Sequence, residues 1–544
     1  MKETTRLADE LFALMAAAQP LDATIFGIAG YDHLLADVTE AGEAATRAAA
    51  LDIADRARAL DCSDIVTRAV IVQQAESLVD QLDSRYVEFT VTDSFFAPAA
   101  SVLATMPMTV VATEQQERDY LARLGEIPLF LEVLGERHRF GLAAGRLPVA
   151  HLVRAAVAFI DRYLAAPDDD PLARPGSGAD FVARREQVLA DAVRPAYRRY
   201  RDVLATEIEP ASRPEGRPGL CWLPEGAATY AALARVHTTT TRTPEELHQT
   251  GLEVVNTLAA EYVALGGRVF GTSDLAEIFD RMRTDPALRW DSEDELLSSA
   301  RNAVTRAEGV APSWFGRLPS TPCVVEPVPE NEAPGAPTAY YAPAAMDGTR
   351  PGTYFANTSR VRERYRYQSE AVAFHEAVPG HHFQITVAQE LTDLPMLRRL
   401  AQVTAYLEGW GLYCERLADE MGLYSDDVAR LGMLALDSMR AGRLVVDTGL
   451  HALGWSRAEA ITYLRENTPL ALVEIESEVD RYIAAPGQAL AYMVGRLEIQ
   501  RIRAEAEKAM GDRFDIKAFH DLVLGGGPLP LAVLDEVVTQ WATA

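Results

Sequence analysis

Three of the ten histidines in this 544-residue chain fall within eight positions, beside a glutamate, in the run His375-Glu376-Ala377-Val378-Pro379-Gly380-His381-His382. On a helix, two histidines four residues apart share a face and bind one Zn²⁺, and a glutamate next to the first activates water. Here the fourth residue after His375 is Pro379, which offers no ligand atom, and the next histidines stand six and seven positions on. In a straight helix the sixth residue lies about 120° off the face of the first, and the seventh lies about 10 Å further along. Neither placement suits two imidazoles on one ion. Pro379 breaks the helical hydrogen bonding, and Gly380 permits the unusual backbone that follows. A two-residue bulge would return His381 to the effective fourth position, with His382 as the alternative ligand.

A third ligand is expected 33 residues after His375, in Thr404-Ala405-Tyr406-Leu407-Glu408-Gly409-Trp410-Gly411-Leu412-Tyr413-Cys414-Glu415. Glu408 sits in an apolar helical stretch, where an unpaired carboxylate is costly. Gly409 and Gly411 point to close packing around it. Two histidines, one glutamate and a water make an open catalytic zinc site, with Glu376 as general base. The plainer reading pairs Glu408 with a core arginine and leaves the histidines as ordinary helix residues.

The elements that must position these groups are mostly helices. Apolar residues recur at three- and four-residue spacing over 51–82, 114–134, 148–166, 181–207 and 388–417. Thr243-Pro244-Glu245-Glu246 predicts a capping box. Short β-prone runs at 323–325, 339–342 and 352–357 predict a small antiparallel sheet just upstream of the histidine motif. Loops are expected at 168–178 and 209–219, where proline, glycine and charge concentrate. The second loop divides an N-terminal helical lobe, 1–210, from a catalytic region, 211–544; one continuous domain is the alternative.

Composition is that of an ordinary globular protein, 48% apolar and 24% charged. A net charge of −27 argues against nucleic acid or an anionic membrane as partner. The four cysteines, Cys62, Cys221, Cys323 and Cys414, form no close pair and read as reduced thiols. The N-terminus lacks a signal-peptide core, and no stretch reaches the roughly 18 apolar residues of a membrane span. A cytoplasmic location is expected.

The histidine run, Glu408-Gly409-Trp410-Gly411-Leu412-Tyr413, Pro486-Gly487-Gln488-Ala489-Leu490-Ala491-Tyr492 and the segment from Ala342 to Tyr354 together resemble the bacterial domain-of-unknown-function family 885. That family is similar in fold to thermostable zinc carboxypeptidases. The resemblance implies a mainly α fold, two helical lobes around a deep cleft, with the small sheet beside a zincin-like active site. It implies His381 as second ligand, because Gly380 precedes it, and one Zn²⁺ held by His375, His381 and Glu408. It implies a substrate-binding edge strand over 352–357, which carries Tyr354. It implies Tyr492 as donor to the oxyanion, with Tyr482 second. Arg496, one helical turn after Tyr492, is a candidate for a substrate carboxylate, as are Arg350 and Arg360; an ordinary salt bridge is the plainer role for Arg496. The expected function is zinc-dependent hydrolysis of short peptides, of carboxypeptidase or oligopeptidase type. A metal-free helical binding protein, or a hydrolase of a non-peptide amide or ester, are the alternatives.

Overall fold

The structure is a computed structural model and describes residues 2–330, 333 and 337–544. Helices dominate, as the spacing of apolar residues predicts. The capping box forms as expected: the Thr243 backbone N–H donates to Glu246, and the Glu246 backbone N–H donates to the Thr243 hydroxyl. Two long expected helices are interrupted. The stretch 51–82 divides between Glu40–Ala59 and Ile65–Asp83, because Asp64 caps the second helix through the Thr67 N–H. The stretch 388–417 divides around Pro395, leaving Met396–Leu400 and Thr404–Glu420 as separate helices.

The main core joins both ends of the chain. Leu7, Leu11, Ile53 and Val70 belong to the same buried cluster as Leu412, Leu444, Leu534 and Val538. A second cluster, built within 87–208, includes Tyr120, Leu124, Leu131, Tyr197 and Leu204. The main core therefore draws on residues from both sides of residue 210.

At the centre runs the 25-residue helix Asp427–His451, hereafter the central helix, buried along nearly all its length. It packs against Pro244–Phe270 and against Leu490–Met510, the tyrosine helix. The tyrosine helix also packs closely on Thr404–Glu420, the glutamate helix. A Cβ at Gly495 would lie 1.9 Å from the Ala405 carbonyl oxygen and 2.7 Å from the Gly409 Cα. Glycine at both positions is what lets these backbones approach.

Three short strands form one sheet: β1 (Val324–Pro327), β2 (Ala339–Ala342) and β3 (Thr353–Ala356), in the order β1-β3-β2. β2 and β3 are antiparallel, as expected, with Tyr341 opposite Tyr354. β1 joins β3 in parallel, with Val325 opposite Tyr354, so the sheet is mixed. β3 is therefore the middle strand. Both its edges are taken by neighbours, which corrects its expected role as a free edge for a substrate backbone.

Candidate metal centre

The motif does not lie on one bulged helix. One helix, Ser369–Glu376, stops at Glu376, and a second, His381–Gln389, begins at His381. Residues 377–380 between them form a turn with a cis peptide at Val378–Pro379. A Cβ at Gly380 would fall 1.8 Å from the His375 carbonyl oxygen, so only glycine fits there. The glutamate helix holds the turn from outside. Trp410 Nε1 donates to the Pro379 carbonyl at 2.9 Å, and Cys414 Sγ donates to the same oxygen at 3.3 Å.

This break brings His381, rather than His382, to His375. Their rings sit 4.7 Å apart at 85°. His382 faces the sheet: its Nε2–H donates to the Thr321 carbonyl at 3.0 Å, and its Nδ1 accepts from the Tyr341 hydroxyl at 3.1 Å. Both its nitrogens are in use, which corrects His382 as the alternative ligand.

Glu408 meets both remaining histidines. Its Oε2 lies 3.5 Å from His375 Nε2 and 3.3 Å from His381 Nε2. Among the described residues, His375, His381 and Glu408 are the group of three whose ligand atoms all lie within 4.8 Å of one another. Charge-assisted hydrogen bonds close to about 2.7–2.9 Å. Ligand atoms on a tetrahedral zinc with bonds of about 2.1 Å stand about 3.4 Å apart. The observed separations match the second figure, so the donor set fits a single zinc ion.

One face of the glutamate helix carries more of the site than the sequence reading recognised. Glu408, Gly411 and Glu415 occupy positions i, i+3 and i+7, which lie along one side of a helix. At Gly411 a Cβ would come within 2.6 Å of the His375 ring, so its absence seats the imidazole. Glu415, buried, accepts a hydrogen bond from His375 Nδ1 at 2.8 Å. That bond places the proton on Nδ1 and turns the Nε2 lone pair towards Glu408 and His381. The i+7 spacing of two acids in an apolar helix was the available signal for Glu415.

Electrostatics favour a positive charge among these groups. Burial pushes the His375 imidazole down, but Glu408 and Glu415 reverse this and raise it to about 10. Burial raises the Glu408 carboxyl, yet His381 and His375 outweigh it and hold the group well below the usual range. Glu376 behaves differently. Burial lifts its carboxyl above the usual carboxylate range, and the nearby histidines offset this only in part. No hydrogen bond to the Glu376 carboxylate is present among the described residues. A raised carboxyl beside a metal-ligand set suits a group that takes up and returns a proton.

The other expected residues lie outside the three-residue cluster. Tyr354 is buried in β3, near enough to Glu376 for that charge to raise its phenol further after burial has done so. Tyr482 is fully buried and donates its hydroxyl to Glu478 at 2.6 Å. Arg496 is ion-paired with Asp437, the plainer of its two expected roles. Arg350 donates to the Ile25 carbonyl at 2.8 Å, and Arg360 lies near Glu363 at 3.7 Å. Tyr492 is mostly buried near the start of the tyrosine helix, and its hydroxyl accepts from Arg481 at 3.2 Å. Its ring is flanked by Arg443, with Cζ 4.4 Å from the ring centre, and by Arg440 and Arg481, each at 5.8 Å.

Fold and site together define a mainly helical protein with a small mixed sheet and a partly buried histidine–histidine–glutamate cluster. The chain belongs to the DUF885 family, bacterial proteins of unknown function, whose sequence profile matches residues 20–538. Among solved structures it is similar to a lipoprotein candidate from Colwellia psychrerythraea, with 26% identity and a TM-score of 0.92 over 99% of this chain and 98% of that one. A lipoprotein candidate of unknown function from Shewanella oneidensis shares the fold, with 19% identity and a TM-score of 0.75 over 98% and 99%. No functionally curated protein matches the chain.

Proposed function

We propose that this protein is a zinc-dependent hydrolase acting on peptide bonds of short peptides, related in design to the thermostable zinc carboxypeptidases. The observation that carries the reading is the pair of separations from Glu408 Oε2, 3.5 and 3.3 Å, which suit a shared ion better than hydrogen bonds. His375, His381 and Glu408 would hold one Zn²⁺. A zinc ion there would supply Lewis acidity to the scissile carbonyl and to water.

The chain's own residues do the rest. Glu415 keeps the proton on His375 Nδ1, so that Nε2 stays a ligand. Glu376 accepts a proton from the attacking water and delivers it to the leaving amine; its raised carboxyl supports that two-way role. Tyr492 donates its hydroxyl to the developing oxyanion. A cytoplasmic location is part of the proposal, in line with the free state of all four cysteines; separately, among the described residues no helix is long and apolar enough to cross a membrane.

Metal analysis of the purified protein and a peptide assay of Glu376→Gln test the reading together. The expected result is one zinc per chain in both proteins, with hydrolysis in the variant reduced by about 10²–10⁴-fold. Protein without metal that binds peptides unchanged would leave a helical binding protein. Zinc-bearing protein that cleaves only non-peptide amides or esters would move the substrate class.

A further inference from the structure

Among the described residues, buried arginines have acceptors, with one exception. Arg123 donates to the Tyr31 carbonyl at 2.6 Å, Arg213 to the Leu147 carbonyl at 2.7 Å, and Arg398 to the Thr67 hydroxyl at 2.8 Å. Arg443 holds Glu478 at 2.7 Å, and Arg496 holds Asp437. Arg440, on the central helix between Asp437 and Arg443, is 8% exposed, and no hydrogen bond or ion pair to its guanidinium is present among the described residues. Its Nε and Nη1 are buried without a partner. A desolvated guanidinium without an anion costs several kcal/mol in general, so an unoccupied one points to a ligand that arrives later.

Its surroundings narrow that ligand. Arg440 and Arg443 both lie over the Tyr492 ring, and Arg443 Nη1 is a further buried N–H without an acceptor. Glu478 serves Arg443 and Arg481 together, at 2.7 and 3.5 Å, which leaves this corner with more positive charge than negative. On the other side, the helix Ser369–Glu376, which carries His375 and Glu376, packs against the central helix that carries Arg440. Planar guanidinium groups bind carboxylates through paired N–H donors.

We propose that Arg440, assisted by Arg443 Nη1, is a receptor for a free carboxylate on the substrate of the site that Glu376 serves. The receptor rests on the hydrolase reading for its orientation but not for its existence. It makes a chain end, or a small amide bearing a carboxylate, the preferred substrate over the interior of a peptide.

Binding of N-acetyl-alanyl-phenylalanine and of its C-terminal amide, measured by calorimetry on Glu376→Gln protein, tests the receptor without turnover. The acid is expected to bind at least about tenfold more tightly than the amide, as a lost charge-assisted contact implies. Adding Arg440→Gln should erase that preference by weakening the acid alone. Arg440→Met, in the otherwise unchanged protein, should keep or raise the thermal midpoint, because an unpaired buried charge is removed; a structural arginine would lower it. Equal binding of acid and amide, no binding of either, a preference that survives Arg440→Gln, or a midpoint lowered by Arg440→Met each overturn the proposal. An Arg440-dependent preference in a protein that cleaves nothing would sink the hydrolase reading and leave the receptor standing.

Discussion

Two carboxylates in the same helical bundle, Asp437 fully buried and Glu408 half-buried, have opposite surroundings. Asp437 on the central helix is closed by Arg416 and Arg496 in direct hydrogen-bonded ion pairs, and despite burial, which raises it, these arginines hold its carboxyl below the usual range. Glu408 faces two imidazoles at 3.3 and 3.5 Å, a spacing that leaves room between the groups. Asp437 completes a structural contact. Glu408 is held open by its neighbours, since Gly411 seats His375 and Glu415 fixes its tautomer. The contrast separates a carboxylate closed by two guanidinium groups from one shared more loosely between two imidazoles. The adjacent arginines repeat it: Arg496 is paired and Arg440 is not.

Substitutions should divide along that line. Glu408→Ala is expected to have the largest effect, with no zinc retained after dialysis and hydrolysis lowered by about 10⁴-fold or more, as for other essential catalytic groups. Its urea midpoint in the absence of zinc should change little. Asp437→Ala should do the reverse. It strands two guanidinium groups in the core, and urea unfolding should report a loss of about 3–5 kcal/mol. Glu415→Gln comes next: zinc affinity, followed by competition with a chelator, should fall about 10–100-fold while the fold persists.

The last expected effect concerns pH and another carboxylate of the central helix, Asp447. Asp447 accepts from the Tyr230 hydroxyl at 2.5 Å and from the Gly487 N–H at 3.1 Å, both neutral donors, and burial raises its carboxyl to about 7. The folded state therefore keeps this proton after the unfolded chain, near 3.8, has released it. The associated stability is complete below about pH 4 and is lost as pH rises through about 7. Asp447→Asn should flatten that part of the stability–pH curve, whereas Asp437 contributes in the opposite direction, losing stability as pH falls. Urea unfolding at pH 4, 5.5 and 7 measures the difference.

Much of the site was legible in the chain. The clustering of His375, Glu376 and His381, and an acid placed in an apolar helix at Glu408, are local signals, because ligand type and helical spacing are written residue by residue. The pattern around Pro379 and Gly380 announced an interruption. It did not reveal that the helix ends and restarts, because that depends on Trp410 and Cys414 reaching the Pro379 carbonyl from a helix some thirty residues on. The antiparallel pairing of β2 and β3 was readable from β-prone runs. The parallel attachment of β1, which makes β3 central, was not, because four-residue strands carry no signal for which neighbour they choose.

By itself, then, the sequence determined the helical class, the family and the residue types able to bind a metal, since periodicity and motif spacing act over a few turns. Tertiary structure alone decided which adjacent histidine turns inward. His382 is taken by Tyr341 and the Thr321 carbonyl, and His381 is left to face Glu408. It also decided which arginines are spoken for. Asp437 claims Arg496, Glu478 claims one edge of Arg443, and among the described residues no acid is placed to claim Arg440. The physical reason is the same in each case: a side chain's role is set by which donors and acceptors remain unsatisfied after packing, and that count closes only across distant segments.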